Sequence, residues 1–228
     1  MTATATGTAT AIPTPTPTTA ISVSAKLAVG KSTLGNTVSK NLDVKNAGKA
    51  DLFIGSVSVS GANAGDFAPG VSTCPVGGLA PKGKCTIAVG LTPSALGARS
   101  ATLTLHDNAG TGAQNVALSG TGEPDVVVSP ASIAYGKVKL SAKKSKTVKV
   151  KNAQPVEVAL SESISGTNAG DFTVTGGTCA AALAAKASCT YVVTFTPGAA
   201  GARTATLSVT ASHDLLSPHD VSLSGTGS

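Results

Sequence analysis

The sequence is poor in the side chains that stack on ligands or carry out chemistry. It has no Trp, two Tyr and four Phe among 228 residues, and 12% of its residues are charged. Gly, Ala, Val, Ser and Thr dominate instead, a mixture that favours β structure over helix. No apolar run approaches the roughly 18 residues that span a membrane, so we expect no membrane insertion.

The first 20 residues also lack the basic start and the apolar stretch of an export signal. They are almost entirely Thr, Ala and Pro. Such tracts cannot bury a core and favour extended, semi-rigid conformations. We therefore predict a linker over residues 1–20, and an export signal is not present in this chain.

The rest of the chain is a tandem duplication with a period of about 105 residues. That period is too long for solenoid units of roughly 20 to 50 residues and suits a whole domain. We predict one domain over residues 21–123 and a second over residues 124–228. The clearest matching segments are 61–67 with 166–172 (Asn-Ala-Gly-Asp-Phe at the end of each), 91–93 with 195–197 (Leu/Phe-Thr-Pro), and 118–122 with 223–227 (Leu-Ser-Gly-Thr-Gly).

Each repeat contains one pair of cysteines, Cys74 with Cys85 and Cys179 with Cys189. Equal placement in both copies favours a disulfide within each domain, and hence an oxidising compartment. A zinc site would need shorter Cys spacing or nearby histidines. Two free buried thiols in each repeat remain the alternative.

Period-two alternation of apolar and polar residues predicts strands throughout both repeats. Val148 and Val150 point one way while Lys149 and Lys151 point the other, as in a half-buried strand. Each repeat shows about seven short strands separated by turn signals. That number and spacing predict an all-β chain of two tandem immunoglobulin-like, seven-stranded β-sandwiches after the extended Thr/Pro-rich segment.

The order of the short motifs resembles a known family. Asn-Ala-Gly-Asp-Phe, two cysteines, Leu/Phe-Thr-Pro, Gly-Ala-Arg and Leu-Ser-Gly-Thr-Gly follow one another in both copies. This order is similar to the bacterial choice-of-anchor D repeats, related to the abnormal-spindle/hydin class of immunoglobulin-like domains. The resemblance implies a seven-stranded sandwich from large, exported, repetitive bacterial proteins, without shared catalytic residues.

Several segments resemble catalytic or binding sites without meeting their requirements. Gly30-Lys-Ser-Thr33 resembles the end of a phosphate-binding loop, but Ala25 stands where that loop needs Gly, so we predict a turn there. Asp66 and Asp171 could offer oxygens to calcium, but a turn stabilised by local Asn and Asp hydrogen bonds fits better. The His-Asp pairs beginning at His106, His213 and His219 have no nucleophile elbow nearby. We expect no catalytic residue, metal or cofactor.

A cluster of lysines in repeat two is the one strongly charged stretch. With a net charge of +6, it could bind an anionic glycan or another anionic polymer. The alternative is that these lysines guard an edge strand against sheet pairing. Nucleic acid is not expected, because the stretch lacks interleaved aromatic residues. The cluster consists of Lys137, Lys139, Lys143, Lys144, Lys146, Lys149 and Lys151; repeat one keeps Lys40 and Lys45 in the matching strand.

Two functions are compatible with these patterns. The first is a non-catalytic structural or adhesive module of an exported bacterial protein, extracellular or at the cell surface, that acts as a spacer or contacts other protein modules or copies of itself. The second is an accessory module that binds carbohydrate or an anionic polymer for a secreted enzyme. Sugar-binding platforms usually use exposed aromatic side chains, and their scarcity here favours the first function. We predict that the chain is not an enzyme.

Overall fold

The computed structural model describes residues 18–228, so most of the predicted linker lies outside the described residues. The first repeat contains eight strands and a short 3₁₀ helix, Ala64–Asp66. Its strands are β1 (Ile21–Val23), β2 (Lys26–Thr33), β3 (Val38–Asn46), β4 (Ile54–Ser60), β5 (Phe67–Ser72), β6 (Lys84–Leu91), β7 (Gly97–Asp107) and β8 (Ala113–Glu123).

The second repeat contains nine strands and a matching 3₁₀ helix, Ala169–Asp171. Its strands are β9 (Val126–Ser129), β10 (Ser132–Val138), β11 (Lys144–Asn152), β12 (Val158–Ser165), β13 (Phe172–Gly177), β14 (Ala182–Leu183), β15 (Ser188–Phe195), β16 (Gly201–Ala211) and β17 (His219–Gly227). None of the helices in residues 18–228 has the length and apolar character needed to cross a membrane.

Each repeat contributes two sheets, and the predicted all-β class of immunoglobulin-like sandwiches is confirmed. The strand orders are β1-β3-β6-β5 and β2-β8-β7-β4 in the first repeat, and β13-β15-β11-β9 and β10-β17-β16-β12-β14 in the second. The strand number exceeds seven because the opening strand of each repeat is divided, and because the second repeat has the additional two-residue strand β14, which pairs with β12. Its first part, β1 or β9, pairs in one sheet, and its second part, β2 or β10, pairs in the other.

The described residues fall into two compact units. One comprises residues 18–29, 39–90 and 100–119, and the other residues 30–38, 91–99 and 120–228. Along the chain, β8 ends at Glu123 and β9 begins at Val126. The limits 21–123 and 124–228 for the two repeats stay a prediction.

Aromatic side chains concentrate in the core of the second repeat. Tyr135, Phe172 and Phe195 pack together, with the two Phe rings stacked at a centroid distance of 4.7 Å. The Tyr135 hydroxyl donates to the Val193 carbonyl oxygen at 2.8 Å. Burial raises the pKa of Tyr135 to about 12. This ring therefore fills the core with its one polar atom satisfied.

A buried asparagine ends the third strand of each repeat and holds distant loops together. The Asn46 side-chain amide donates to the carbonyl oxygens of Ala50 and Leu79, at 2.8 and 2.7 Å. Asn152 likewise donates to the carbonyl oxygens of Val156 and Leu183. These bonds explain why Val-Lys-Asn occurs in both copies: the Asn satisfies loop carbonyl groups that burial would otherwise leave unpaired.

The two glycines of each Ser-Gly-Thr-Gly segment lie where a side chain would not fit. A Cβ at Gly225 would approach the Phe195 ring to 2.3 Å, and one at Gly120 would approach Leu91 Cδ2 to 2.2 Å. A Cβ at Gly227 would come within 2.1 Å of the Ala199 carbonyl oxygen. The last strand therefore needs glycine for the Leu/Phe-Thr-Pro segment to pack against it.

Candidate partner-binding surface

The cysteines of each repeat form an intradomain disulfide. Cys74 is bonded to Cys85 and Cys179 to Cys189, which agrees with the predicted pairing. The second cysteine of each pair is buried near the start of a core strand. Each bond therefore ties a surface loop to the sandwich core.

The Asn-Ala-Gly-Asp-Phe segments are structural, but their hydrogen bonds differ from the predicted local ones. Asn63 Oδ1 accepts from the Ser100 amide at 2.9 Å, and Asn168 Oδ1 accepts from the Thr204 amide at 2.9 Å. Both bonds reach a strand more than 30 residues away, so the prediction of local backbone partners was wrong for Asn. The following Phe is buried in each repeat, as predicted.

Asp171 forms an ion pair with a distant arginine, so the prediction of local backbone partners was wrong for Asp171 as well. Its Oδ2 accepts from Arg203 Nε, and its Oδ1 accepts from the Gly198 amide at 3.2 Å. Asp66, its counterpart, is buried. Among residues 18–228, no group of three or more His, Cys, Asp or Glu side chains is placed to hold a metal ion.

Two other segments that resemble catalytic or binding sites have structural roles. Gly30-Lys-Ser-Thr33 lies within strand β2, so the predicted turn was wrong. The His219 ring contacts Asp214 at 2.5 Å, and that carboxylate also accepts from the Leu216 amide. These contacts fix the loop before β17.

The seven lysines of the predicted cluster do not share one face. All are exposed, but Lys137 lies on β10, and Lys139 and Lys143 lie in the turn before β11. Lys149 and Lys151 point outward between buried Val148, Val150 and Asn152. Lys144 and Lys146 lie on the opposite side of β11 from Lys149 and Lys151. The Lys144 Nζ donates to the Tyr135 carbonyl oxygen at 2.6 Å.

The edge-strand explanation holds for only half of β11. This strand lies between β15 and β9, and β9 covers it from Lys149 to Asn152. The hypothesis of a lysine-guarded edge is therefore wrong for Lys149 and Lys151. The part from Lys144 to Val148 has no strand on its β9 side among residues 18–228, because β9 ends at Ser129 opposite Lys149.

The first repeat has a larger cationic groove at the corresponding place. It has a volume of about 830 Å³ and lies beside β3, where the chain leaves β1 for β2. Buried Leu27, Leu42 and Val44 form its floor. Its charged lining consists of Lys26, Lys40, Lys45, Lys84 and Asp43, and all five side chains are exposed.

These four lysines come from three strands and are spread over 59 positions, from 26 to 84, so no sequence cluster marks them. Alternation along β3 could have placed Lys45 on the outer face. The contributions of Lys26 and Lys84 depend on strand order and register, which local patterns do not contain. The corresponding groove of the second repeat is smaller, about 450 Å³, and has Lys146 as its one lysine.

One buried carboxylate stands apart from these surfaces. Asp125 is fully buried, and neither carboxylate oxygen makes a hydrogen bond of good geometry within residues 18–228, although donors of Thr33 and Leu215 lie nearby. Burial raises the pKa of Asp125, the charge of Asp214 raises it further, and Thr33 and the Leu215 backbone oppose the rise. Asp125 lines neither of the two grooves described above, and its complete burial makes it a determinant of stability.

Two family descriptions match separate parts of the chain. Residues 17–114 match the abnormal spindle-like microcephaly-associated, ASPM-SPD-2-Hydin (ASH) family, and residues 132–222 match a bacterial Ig-like domain. Neither match names the choice-of-anchor D group, which stays a prediction. No curated protein matches the sequence.

Three solved structures that match this chain do so at low sequence identity and low TM-score. A Porphyromonas gingivalis W83 protein of unknown function is 13% identical at a TM-score of 0.38, covering 90% of this chain and 99% of that one. The ASH/PapD-like domain 7 of human CEP192 is 16% identical at 0.34, covering 54% and 96%. The secreted serine protease VesC of Vibrio cholerae is 13% identical at 0.38, covering 77% of this chain and 46% of that one. At such scores, these likenesses support no statement about function.

Proposed function

The chain is an immunoglobulin-like protein with an ASH-type domain, and from this premise we propose that it is a structural or adhesive module of an exported bacterial protein, extracellular or at the cell surface. Domains of these families are non-catalytic β-sandwiches. The proposed module acts as a spacer or as a protein-interaction unit.

The observation that carries the proposal is the disulfide in each repeat. Both bonds close short loops, with sequence separations of 11 and 10 residues. Disulfides persist in oxidising compartments and are rare where thioredoxin and glutathione keep thiols reduced. Export is therefore the setting in which both repeats reach the structure described here.

Interaction with protein is favoured over carbohydrate binding by the lining of the groove beside β3. Lysine, small polar and aliphatic side chains line it, and none of its lining residues is aromatic. Carbohydrate platforms depend on stacking against exposed aromatic rings, whereas a lysine-lined groove suits an acidic partner by charge complementarity.

Fractionation of source cells with an antibody to the purified chain tests the exported location. We expect the protein to be cleaved by protease added to intact cells, and its four cysteines to resist alkylation until a reductant is added. A cytosolic enzyme in the same fractions serves as the control for lysis. Recovery of the protein inside unlysed cells with alkylatable thiols would overturn the proposal.

A further inference from the structure

We propose that the groove beside β3 binds an extended acidic peptide, which pairs with the uncovered edge of β3 as an added strand. The inference rests on the proposed function, because it names the chemistry of the protein partner. It depends on two features of the first repeat: the charge of the groove and the incomplete pairing of β3.

The charge of the groove is strongly one-sided. Four lysines face one aspartate, Asp43, an excess of three positive charges. The Asn46 amide donates to the Gly83 carbonyl oxygen, and this register places Lys45 directly opposite Lys84 on the neighbouring strand. Like charges facing each other across a sheet are destabilising, so an anionic group between Lys45 and Lys84 would relieve their repulsion.

The edge of β3 beside the groove is only partly paired. β1 pairs with β3 from Asn46 to Val44 and ends there, at Val23. Peptide groups of alternate residues point to alternate sides of a strand, and that of Asn46 points toward β6. Those of Asn41 and Asp43 therefore point to the β1 side, where no strand among residues 18–228 pairs with the part of β3 before Val44.

These two features specify the partner. An added strand presents alternate side chains to opposite faces. One set would lie on the outer face of the sheet, the face of Lys45 and Lys84, where the excess of lysine favours carboxylates. The other set would point toward Leu27 and Leu42 on the floor, where small apolar groups are favoured. The partner chemistry is thus an extended segment of alternating acidic and apolar residues, recognised by strand addition.

Binding of a synthetic eight-residue peptide of alternating Glu and Val to the purified chain, measured by fluorescence anisotropy, tests this inference. We expect saturable binding that weakens with added salt. We expect the matched Gln-Val peptide to bind about tenfold more weakly or worse, because charge-assisted hydrogen bonds are replaced by neutral ones. A Glu-Val peptide with alternate backbone nitrogens methylated keeps the charges but cannot form a ladder, and we expect it to lose binding.

Charge-changing variants of the protein test whether the peptide binds in the groove beside β3. Lys40→Glu with Lys84→Glu should weaken binding about tenfold or more. Lys139→Glu with Lys143→Glu changes the net charge equally but lies outside the groove, and it should leave affinity unchanged. Asp43→Asn removes the one negative lining charge and should tighten binding by about threefold. Thermal melts of each variant report whether the fold is kept.

Hydrogen exchange on the wild-type chain provides a readout that needs no variant. Peptide addition should slow exchange of the Asn41 and Asp43 amides relative to the buried strands of the second repeat. The inference would be overturned if the N-methylated peptide bound equally well, or if the Glu-Val peptide did not bind. It would also be overturned if a sulfated polysaccharide competed with the peptide while the hydrogen-exchange rates of Asn41 and Asp43 stayed unchanged. These results do not depend on where cells place the protein, so the localisation test can fail independently.

Discussion

Arg203 Nε donates to Asp171 Oδ2, joining the Gly-Ala-Arg segment at the start of β16 to the 3₁₀ helix before β13. The two side chains are 21% and 11% exposed, so water screens the pair only partly. Two motifs that are 32 residues apart in the sequence are thus one interaction in the fold. The duplication kept both motifs, and in the second repeat this ion pair explains why.

Replacement of Asp171 by Asn should lower the free energy of unfolding by about 2 kcal/mol, because Arg203 loses a charged partner in a half-buried site. Urea unfolding of Asp171→Asn measures the change. Glu157→Gln removes an exposed carboxylate and serves as the matched control, with an expected change within about 0.5 kcal/mol. Equal effects of the two substitutions would contradict the importance of the ion pair.

A methyl group at Gly225 should be among the most damaging small changes in the chain. Gly225→Ala forces the Phe195 ring out of place, and overpacking of this kind costs about 1 to 3 kcal/mol. Gly170→Ala is the control, since a Cβ there has no neighbour within 4 Å. Calorimetry should show a clear fall in melting temperature for Gly225→Ala alone. Similar melting of the two variants would refute the packing argument.

Loss of either disulfide should destabilise its repeat by about 3 kcal/mol, since each bond closes a loop of roughly a dozen residues in the unfolded chain. The double substitutions Cys74→Ala with Cys85→Ala and Cys179→Ala with Cys189→Ala are each compared with wild type by urea unfolding. The loops have similar lengths, so the two losses should be similar. Losses below about 1 kcal/mol would mean that the bonds restrict the unfolded chain less than the length of their loops implies.

Asp125 should make the protein less stable as the pH rises. Its pKa is raised in the folded state above the ordinary 3.8, so the folded chain holds this proton more tightly than the unfolded chain does. The stabilising contribution is complete below pH 3.8 and disappears as the pH rises through the higher folded-state pKa.

Asp125→Asn removes this titration and avoids a buried charge without hydrogen bonds. At pH 7 we expect the variant to exceed wild type by about 1 kcal/mol in free energy of unfolding. The gap should narrow as the pH falls toward 3.8. Urea unfolding between pH 3.5 and 7 measures it, with Asp43→Asn as an exposed control. A variant that is less stable at every pH would show that the carboxylate has a necessary partner.

The strands could be predicted from the sequence because their signal is local. Alternation of Val148 and Val150 with Lys149 and Lys151 fixes which side chains face the core, and the structure keeps that pattern. The partners of Asn63 and Asn168 could not be predicted, since each accepts from a strand brought close only by the fold. Local turn chemistry is equally compatible with an Asn in that position.

The candidate groove could not be predicted from the sequence, because no short segment shows which strands come together to form it. Nothing in the local pattern of residues 21–33 shows that pairing with β3 stops at Val23 and that the chain then enters the other sheet. Lys26 and Lys84 become neighbours of the same groove only through that crossover. The lysines of repeat two were conspicuous because they lie within 15 positions of one another in the sequence, from 137 to 151, although alternation separates them onto different faces.

The disulfide-closed loops also show where the sequence of such a module can vary. The two copies differ in this loop in both length and residue content, yet each keeps its two ends fixed, with Cα atoms 4.8 Å apart. Val76 at the tip of the first loop is fully exposed. Residues at the tip of such a loop, outside the buried Leu79 or Leu183 that Asn46 or Asn152 holds, can be gained, lost or exchanged while the anchored ends keep the strands on either side in place. The loop is therefore suited both to natural variation between copies and to the insertion of foreign epitopes on an unchanged scaffold.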